Sequence, residues 1–321
     1  MSHIVSNIRR IRLLFLFLCF GLIFVTGCSK QEDLKKTVPS SANKDMDFRD
    51  NTPVVLVPEA SGESVYGSDR VTIDVSNAEL GYILLTYHGF NEKVKFQIQA
   101  PNDVTYTYLV SAPDTPMVYP LTGENGLYLF TLLESVDVEK NRYAVVFTET
   151  LDVTLEDDFL PYLTPNIYVA FNENSPSVVK GSELAKECTG DLDVISHIYN
   201  FVTKNIAYDT DKAASISYGY IPDPDETLET KKGICFDYAS LMTVMLRSQR
   251  IPTRLEVGYV GETYHAWISC YVEEIGWVDR IIEFDGKNWS LMDPTLAANN
   301  DRKAVQNYIG DGTNYTVKYM Y

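Results

Sequence analysis

Basic residues, cysteines and long apolar runs are scarce in this sequence. Among its 321 residues, 27 Lys and Arg stand against 44 Asp and Glu, which gives a formal net charge of −17. This balance argues against a nucleic-acid-binding protein, because such a protein needs a basic face to neutralise phosphates. Five cysteines are too few for a disulfide scaffold. The longest apolar run is at the N-terminus, which argues against a multi-span membrane protein.

The composition that remains is typical of a globular chain. Hydrophobic residues make up 45% and charged residues 22% of the sequence, which argues against a largely disordered protein. The length allows two or three domains of roughly 100–200 residues each. Sequence patterns divide the chain into a signal peptide (1–27), a tether (28–52), a β-sandwich domain (53–155), a connector (156–181) and an α+β domain (182–321).

The N-terminal segment has the pattern of a secretory signal. Three arginines between positions 9 and 12 precede an apolar run at 13–25, which is short for a spanning helix. The run ends in Val25-Thr26-Gly27-Cys28, which resembles a bacterial lipobox. The resemblance implies cleavage before Cys28 and acylation of its thiol. We therefore expect a lipid-anchored protein outside the cytoplasm, at the cell surface or in the periplasm; the alternative is an uncleaved anchor helix.

The residues after Cys28 predict a tether and then a β domain. The tether is polar and lacks apolar periodicity, which is typical of a flexible segment; a binding stretch is the alternative. Short alternating or apolar runs follow at 71–75, 82–87, 94–98, 104–110, 127–131 and 143–147. Strands at this spacing, separated by turn residues, predict an antiparallel β-sandwich. Its tyrosines either form a ligand platform or simply cover a β surface, and we favour the second interpretation.

Helices are predicted only beyond the β domain. Residues 156–181 form a predicted connector, because three prolines prevent a long helix there, and helical periodicity begins near Ser182. Residues 191–206 carry an apolar stripe with acidic residues in the first turn, which predicts a helix. His197 lies near this stripe and is interpreted as structural. Residues 208–229 contain one glycine and two prolines and predict a loop.

The pattern most suggestive of chemistry begins at Gly233-Ile-Cys235. Apolar residues from 239 to 246 predict a buried helix, and Gly233 allows a close approach of the backbone just before it. Cys235 therefore lies at or near a helix N-terminus, whose partial positive charge favours a thiolate over a thiol. A cysteine in this position is a candidate nucleophile. Metal binding is disfavoured, because no Cys or His at metal-ligand spacing accompanies it.

The sequence after this helix contains a histidine and an aspartate that are candidates for the same site. It predicts four strands, at 251–260, 265–272, 281–284 and 289–293. An Asp-Gly turn joins the last two strands, so His265 and Asp293 can stand on neighbouring antiparallel strands that face the helix of Cys235. Nucleophilic acyl transfer uses a thiolate, an imidazole that pairs with it and a carboxylate that orients the imidazole. Cys235, His265 and Asp293 are the candidates for these roles.

Several motifs occur in the order of a known family. They are Gly233-x-Cys235, Arg247, Ile251-Pro252-x-Arg254, Gly258-Tyr259, His265-Ala-Trp267, Trp277-Val278 and Asp293-Pro294-Thr295. Together they resemble the transglutaminase-like superfamily. The resemblance implies a papain-like site, in which a helix bearing the cysteine packs on an antiparallel sheet bearing histidine and aspartate. Carried over residue by residue, it implies that Cys235 is the nucleophile, His265 the acid and base, and Asp293 the residue that orients His265.

Accessory roles at this site stay open in the sequence. The backbone N–H of Cys235 is one expected donor to the oxyanion of a tetrahedral intermediate. The second donor is expected in the preceding loop, where Tyr208, Tyr218 and Tyr220 are candidates. Trp267 either shields the Cys–His ion pair from water or fills the core.

The other cysteines of the α+β domain have a structural interpretation. A disulfide between Cys188 and Cys270 is chemically permitted in an exported protein. However, Cys270 shares a strand face with Ala266 and Ile268, which favours a buried free thiol.

Two functions from different classes fit these patterns. The first is an enzyme that cleaves or transfers an amide or peptide acyl group through a thioester at Cys235, with hydrolysis favoured and a protein or peptide at the cell envelope as substrate. The second is a catalytically silent surface protein that binds peptides or acts as a scaffold. We expect no cofactor and no metal, since no acidic-loop motif indicates calcium. The expected partners are this substrate and, through the lipid anchor, the membrane, but not nucleic acid.

Overall fold

Antiparallel sheets and helices follow one another along the chain. The structure, a computed structural model, describes residues 49–110, 112–273, 275–278, 282–284, 289–291 and 315–321. Sheets dominate the N-terminal half, and five helices with further antiparallel strands make up the described part of the C-terminal half. The predicted α+β class, with an antiparallel β-sandwich first, is confirmed. Buried side chains from both halves belong to one continuous core.

The N-terminal half is a sandwich of two antiparallel sheets. Its strands are β1 (Val65–Gly67), β2 (Val71–Asp74), β3 (Tyr82–Tyr87), β4 (Val94–Gln99), β5 (Thr105–Val110), β6 (Met117–Pro120), β7 (Gly126–Asp137) and β8 (Arg142–Val153). The sheet orders are β1-β2-β3-β6 and β5-β4-β7-β8. Alternation buries Phe96 of β4, whose ring centroid lies 4.9 Å from that of Tyr119 in the other sheet. Such edge-to-face pairs hold the two layers together.

Each predicted strand of this half overlaps an observed strand, but two were predicted too short. The strands β7 and β8 continue beyond the predicted runs at 127–131 and 143–147. They do so because the residues that follow, several of which are polar, remain paired across the β7–β8 hairpin, as in Glu134↔Ala144. Backbone pairing needs no apolar side chain, so periodicity alone does not show where such a strand ends.

The helices are α1 (Pro176–Ala185), α2 (Asp191–Asn205), α3 (Thr210–Ser215), α4 (Pro224–Thr230) and α5 (Cys235–Arg247). The predicted loop at 208–229 is wrong in part, since α3 and the greater part of α4 lie within it. Each of these two helices starts at an aspartate whose side chain accepts a backbone N–H of the first turn, Asp209 for α3 and Asp223 for α4. Likewise α1 begins at Pro176 rather than near Ser182, because proline is well tolerated at the first helical position.

The buried helix α5 is the centre of the C-terminal half. Every residue from Asp237 to Arg247 is buried, and α5 contacts α1, α2, α4 and the sheet that follows it. Arg247 anchors its C-terminal end. The guanidinium donates to the backbone oxygens of Thr164, Thr253 and Tyr321 at 2.6–3.0 Å, and burial lowers its pKa to about 9. One side chain thereby ties the helix to the connector, to the strand that begins at Thr253 and to Tyr321.

The remaining strands are β9 (Ala207–Tyr208), β10 (Lys232–Gly233), β11 (Thr253–Val260), β12 (Thr263–Val272), β13 (Gly276–Val278), β14 (Ile282–Phe284), β15 (Trp289–Leu291) and β16 (Tyr315–Met320). The principal sheet has the order β13-β12-β11-β16 and is antiparallel. The predicted hairpin of β14 and β15 is present, and β9 pairs in parallel with β10. None of the described helices is both long enough and apolar enough to cross a bilayer.

Candidate active site

Cys235 is the first residue of α5, as the sequence predicted. The turn before it is tight: a Cβ on Gly233 would lie 2.6 Å from the Cβ of Asp237, so this position requires glycine. The first N–H groups of a helix have no intrahelical partner, and they carry the positive end of the helix dipole. The thiol of Cys235 therefore sits at the end of α5 that stabilises an anion.

His265 is presented by the neighbouring sheet. It lies on β12 opposite Gly258 of β11, and α5 packs against both strands. The side chain of His265 is half-buried. Its ring is roughly parallel to that of Trp267, with centroids 6.3 Å apart. The packing of helix on sheet thus brings the histidine to the side of the sheet where α5 begins.

Cys235 and His265 line one cavity of about 410 Å³. Its volume lies in the usual range of small-molecule and substrate sites. The structure therefore brings together two of the three residues that the sequence predicted to act jointly. The third, Asp293, lies outside the described residues, as does Cys28, the predicted lipid attachment site. These two predictions stay predictions.

The walls of the cavity are aromatic and carry little charge. Tyr168, Phe236 and Tyr319 are among eight Phe and Tyr side chains that line it, and no Asp, Glu, Lys or Arg is found among the lining residues that the structure describes. Tyr264, beside His265, keeps its proton at neutral pH, because burial, and then the neighbouring Tyr319, raise its pKa to about 12. Such a cavity favours an uncharged substituent on the substrate, since a buried charge without a partner is costly.

The four side chains proposed as oxyanion donors or substrate contacts have different surroundings. Tyr208 and Tyr218 line the cavity, Tyr208 half-buried and Tyr218 71% exposed. Tyr220 also lines it, but its hydroxyl donates to Oδ1 of Asp237 at 2.5 Å. Trp267 is buried and belongs to the core, where its Nε1 donates to Oε2 of Glu256 at 2.5 Å. Of the two roles considered for Trp267, its packing fits the filling of the core.

Asp237 is a residue of the site that the sequence interpretation missed. Its side chain is fully buried and accepts the backbone N–H of Ile234 at 2.8 Å. It also receives the Tyr220 hydroxyl, and it forms an ion pair with Nζ of Lys212 at 2.8 Å. The segment 209–220 is thereby tied to the first turn of α5. An acidic residue at the third helical position is a recognisable capping signal, but its distant partners are not visible in the sequence.

The sandwich contributes a wall of the same cavity. Thr107 and Leu109 of β5 line it, and a Cβ on Gly219 would lie 2.3 Å from Cδ1 of Leu109. Segment 209–220 is therefore in direct contact with the sandwich on one side and tied to α5 on the other. Access to Cys235 depends on both halves of the described chain.

Comparison with known proteins identifies the family of one part of the chain. Residues 181–280 match the profile of the transglutaminase-like superfamily. This part of the chain is a transglutaminase-like domain, and the predicted resemblance is confirmed for it. Asp293 lies C-terminal to the matched segment.

Individual relatives are distant or matched over short segments. The chain is 34% identical over 91 residues to UPF0252 protein MJ1282 of Methanocaldococcus jannaschii, which covers 25% of this chain and 26% of that protein. It is 24% identical over 184 residues to the uncharacterized protein YebA of Bacillus subtilis, which covers 50% of this chain and 22% of YebA. The chain thus spans about a quarter of the length of each of these two relatives. A solved structure of a proposed cysteine protease from Cytophaga hutchinsonii is 18% identical, with a TM-score of 0.33, and the match covers 67% of this chain and 78% of that one.

Proposed function

We propose that this protein is a cysteine-dependent enzyme that cleaves an amide or peptide bond through a thioester at Cys235. The observation that carries the proposal is the shared cavity: a cysteine at a helix N-terminus and a histidine on the adjoining sheet line the same space. These are the residue types and the positions that thiol-based acyl transfer uses. The transglutaminase-like domain supports the same reaction class.

The reaction has two steps with balanced proton transfers. The thiolate of Cys235 attacks the carbonyl carbon, and the tetrahedral intermediate collapses when the C–N bond breaks and the imidazolium of His265 gives its proton to the leaving amine. His265 then takes a proton from water as the water attacks the thioester. When the C–S bond breaks, the carboxylic acid leaves and the pair of Cys235 thiolate and His265 imidazolium is restored. Asp293 is proposed to orient His265. The backbone N–H of Cys235 is proposed to stabilise the oxyanion, since the first N–H groups of a helix point away from intrahelical acceptors.

We propose hydrolysis rather than transfer to a second amine, and a substrate that is a protein or peptide. The aromatic, uncharged walls of the cavity favour an apolar or aromatic residue next to the scissile carbonyl. The lipobox-like segment supports a lipid anchor at Cys28 and a location outside the cytoplasm. Labelling of expressing bacteria with an alkyne-bearing fatty acid tests the anchor, since Cys28→Ala abolishes the label if the proposal holds.

The reaction is tested with full-length protein in detergent and a pool of synthetic peptides that contains every residue type. Mass spectrometry of the products finds new carboxyl termini if water resolves the thioester, and adducts of an added diamine if an amine does. We expect new termini, with a loss of about 100-fold in Cys235→Ala and in His265→Ala. Cys188→Ala is the matched control and keeps full activity. Products that persist in Cys235→Ala contradict the role of Cys235, and an absence of products in wild type favours the silent binding protein.

A further inference from the structure

A second cavity adjoins the one that holds Cys235 and His265. It has a volume of about 550 Å³, and both cavities are lined by Leu109, Ser217 and Tyr218. Leu109 belongs to β5, and the other two residues belong to segment 209–220. The shared lining residues make the two cavities immediate neighbours. An extended polypeptide advances about 3.3 Å per residue, so successive substrate residues can occupy successive cavities.

The second cavity differs from the first in its charge. Lys93 and Lys95 line it, and Glu92 is the acidic residue among its described lining residues. These groups leave a formal charge of 2 − 1 = +1 on this wall, in a chain whose net charge is −17. Neither lysine forms an ion pair with a carboxylate of the described residues. The wall therefore carries two ammonium groups, neither of which is within ion-pair distance of a described carboxylate.

Lys95 is held in place by its surroundings. It pairs with Leu109 across β4 and β5, and its side chain is half-buried. Its Nζ lies 4.0 Å from the centroid of the Tyr143 ring on β8. A cation over an aromatic face loses part of its freedom and part of its hydration. A carboxylate that approaches such an ammonium gains a charge-assisted hydrogen bond at a smaller entropic cost than one that approaches a mobile surface lysine.

We propose that the second cavity is a subsite for an acidic side chain of the polypeptide substrate, with Lys95 as the residue that recognises its carboxylate. This inference rests on the proposed function, because the substrate is the one whose acyl group reaches Cys235. The sandwich then selects the substrate, while the transglutaminase-like domain cleaves it. Lys93, Lys95 and Tyr143 all lie outside the segment 181–280 that matches the superfamily.

The probes are peptidyl acyloxymethyl ketones, in which the thiolate of Cys235 forms a C–S bond to the methylene carbon and displaces a carboxylate. Each probe has tyrosine next to the ketone, and Glu, Gln or Lys is placed in turn at each of the preceding positions. Full-length protein in detergent is treated with each probe, and intact mass gives the labelling rate of Cys235. We expect the Glu probe to react about fivefold faster than the Gln probe at one or two positions.

Variants of Lys95 assign this preference. Lys95→Gln is expected to remove the preference for Glu while the rate with the Gln probe stays within about twofold, and Lys95→Glu is expected to turn the preference towards the Lys probe. Lys186→Gln, which removes an exposed positive charge elsewhere, is the matched control and keeps the preference. Higher salt is expected to weaken the preference of the wild-type protein for the Glu probe.

The outcomes that overturn the inference separate it from the proposed function. Equal labelling of Cys235 by Glu, Gln and Lys probes at every position overturns the acidic subsite and leaves the nucleophile standing. A preference for Glu that survives in Lys95→Gln overturns the assignment to Lys95. If no probe labels Cys235 at all, the proposed function fails, and the subsite fails with it.

Discussion

Two regions of the molecule each place a cysteine beside the end of a helix and near a histidine, yet they differ in the sign of the helix end and in access from a cavity. Cys235 begins α5, at its positive end, and lines a cavity with His265. Cys188 follows the last turn of α1, at its negative end, where its N–H donates to the carbonyl of Ala185. The positive end of a helix favours a thiolate, and the negative end disfavours it.

Proximity to an imidazole does not distinguish the two regions. Sγ of Cys188 lies 3.2 Å from Nδ1 of His197, so a cysteine and a histidine do meet there. However, Cys188 is 1% exposed, and burial, followed by the Asp193 carboxylate, raises the pKa of its thiol. A contact between a cysteine and a histidine therefore does not by itself make a catalytic site. Access from a cavity and the sign of the helix end decide which cysteine can act.

Alkylation rates test whether Cys235 and Cys188 differ in reactivity. We expect iodoacetamide to label Cys235 about 1,000-fold faster than Cys188 at neutral pH, because a buried thiol reacts only when the structure opens. Peptide mapping by mass spectrometry measures both rates in the same sample. Unfolding in guanidinium is the control and brings the rates together. Equal rates in the folded protein would contradict the distinction.

Asp237 supports the Cys235 region, and its removal has the largest expected effect on stability. Asp237→Ala leaves the N–H of Ile234, the Tyr220 hydroxyl and the Lys212 ammonium without their acceptor. We expect a loss of about 3 kcal/mol in the free energy of unfolding, measured by denaturant titration with tryptophan fluorescence. Asp211→Ala, an exposed aspartate of α3, changes it by less than about 0.5 kcal/mol. Equal stability of the two variants would refute this role of Asp237.

Cys270 is a third thiol of the C-terminal half, and it is as deeply buried as Cys188. Burial raises its pKa from 9.0 to about 12, so its contribution to stability is complete below the unfolded value and is lost as pH rises from about 9 to about 12. At pH 10 the thiol is ionised in the unfolded protein but not in the folded one. This difference lowers the free energy of unfolding of wild type by about 1.4 kcal/mol. The penalty of Cys270→Ala, measured by denaturant titration, is therefore about 1.4 kcal/mol smaller at pH 10 than at pH 8.

The tyrosines of the core titrate in the same way in Cys270→Ala and in wild type, so they cancel in this difference. Val272→Ala, a buried substitution on the same strand without a titratable side chain, is the control, and its penalty is expected to be the same at both pH values. A penalty for Cys270→Ala that is the same at both pH values would show that this thiol ionises in the folded protein.

Removal of the Lys212 charge is expected to have a small effect on stability and on the labelling rate of Cys235. In Lys212→Gln, the buried Asp237 carboxylate, two residues from Cys235, loses its ion-pair partner. We expect a loss of about 1 kcal/mol in stability and a labelling rate of Cys235 about threefold lower at neutral pH, because an uncompensated anion opposes the thiolate. Lys204→Gln, on α2, is the matched control. A faster rate in Lys212→Gln would mean that the ion pair suppresses the thiolate.

The sequence predicted those parts of the fold that depend on local patterns. The helix after Cys235 and the strand with His265 follow from their many apolar residues, because both elements are buried on more than one side. The helices α3 and α4 escaped because they are short and rich in charge, so no apolar stripe marks them, and only their aspartate caps indicate where they begin.

The parts of the site that could not be predicted from the sequence depend on contacts between residues far apart in the chain. The ion pair of Lys212 with Asp237 joins residues of different helices, and the lining of the cavity by Leu109 depends on how the sandwich meets segment 209–220. Neither spacing nor composition specifies such a contact, because packing between distant elements selects it. Asp293 lies outside the described residues, so its place in the site stays a prediction.

The most direct test is the alkylation rate of Cys235 as a function of pH in wild type, His265→Ala and His197→Ala. We expect rapid labelling in wild type at about pH 6, a rate about 30-fold lower in His265→Ala at that pH, and convergence of the two above about pH 9. His197→Ala should follow wild type within about twofold. If wild-type Cys235 labels slowly at pH 6 and His265→Ala leaves the profile unchanged, the ion pair does not exist in this state, and the account of Cys235 as the nucleophile is contradicted.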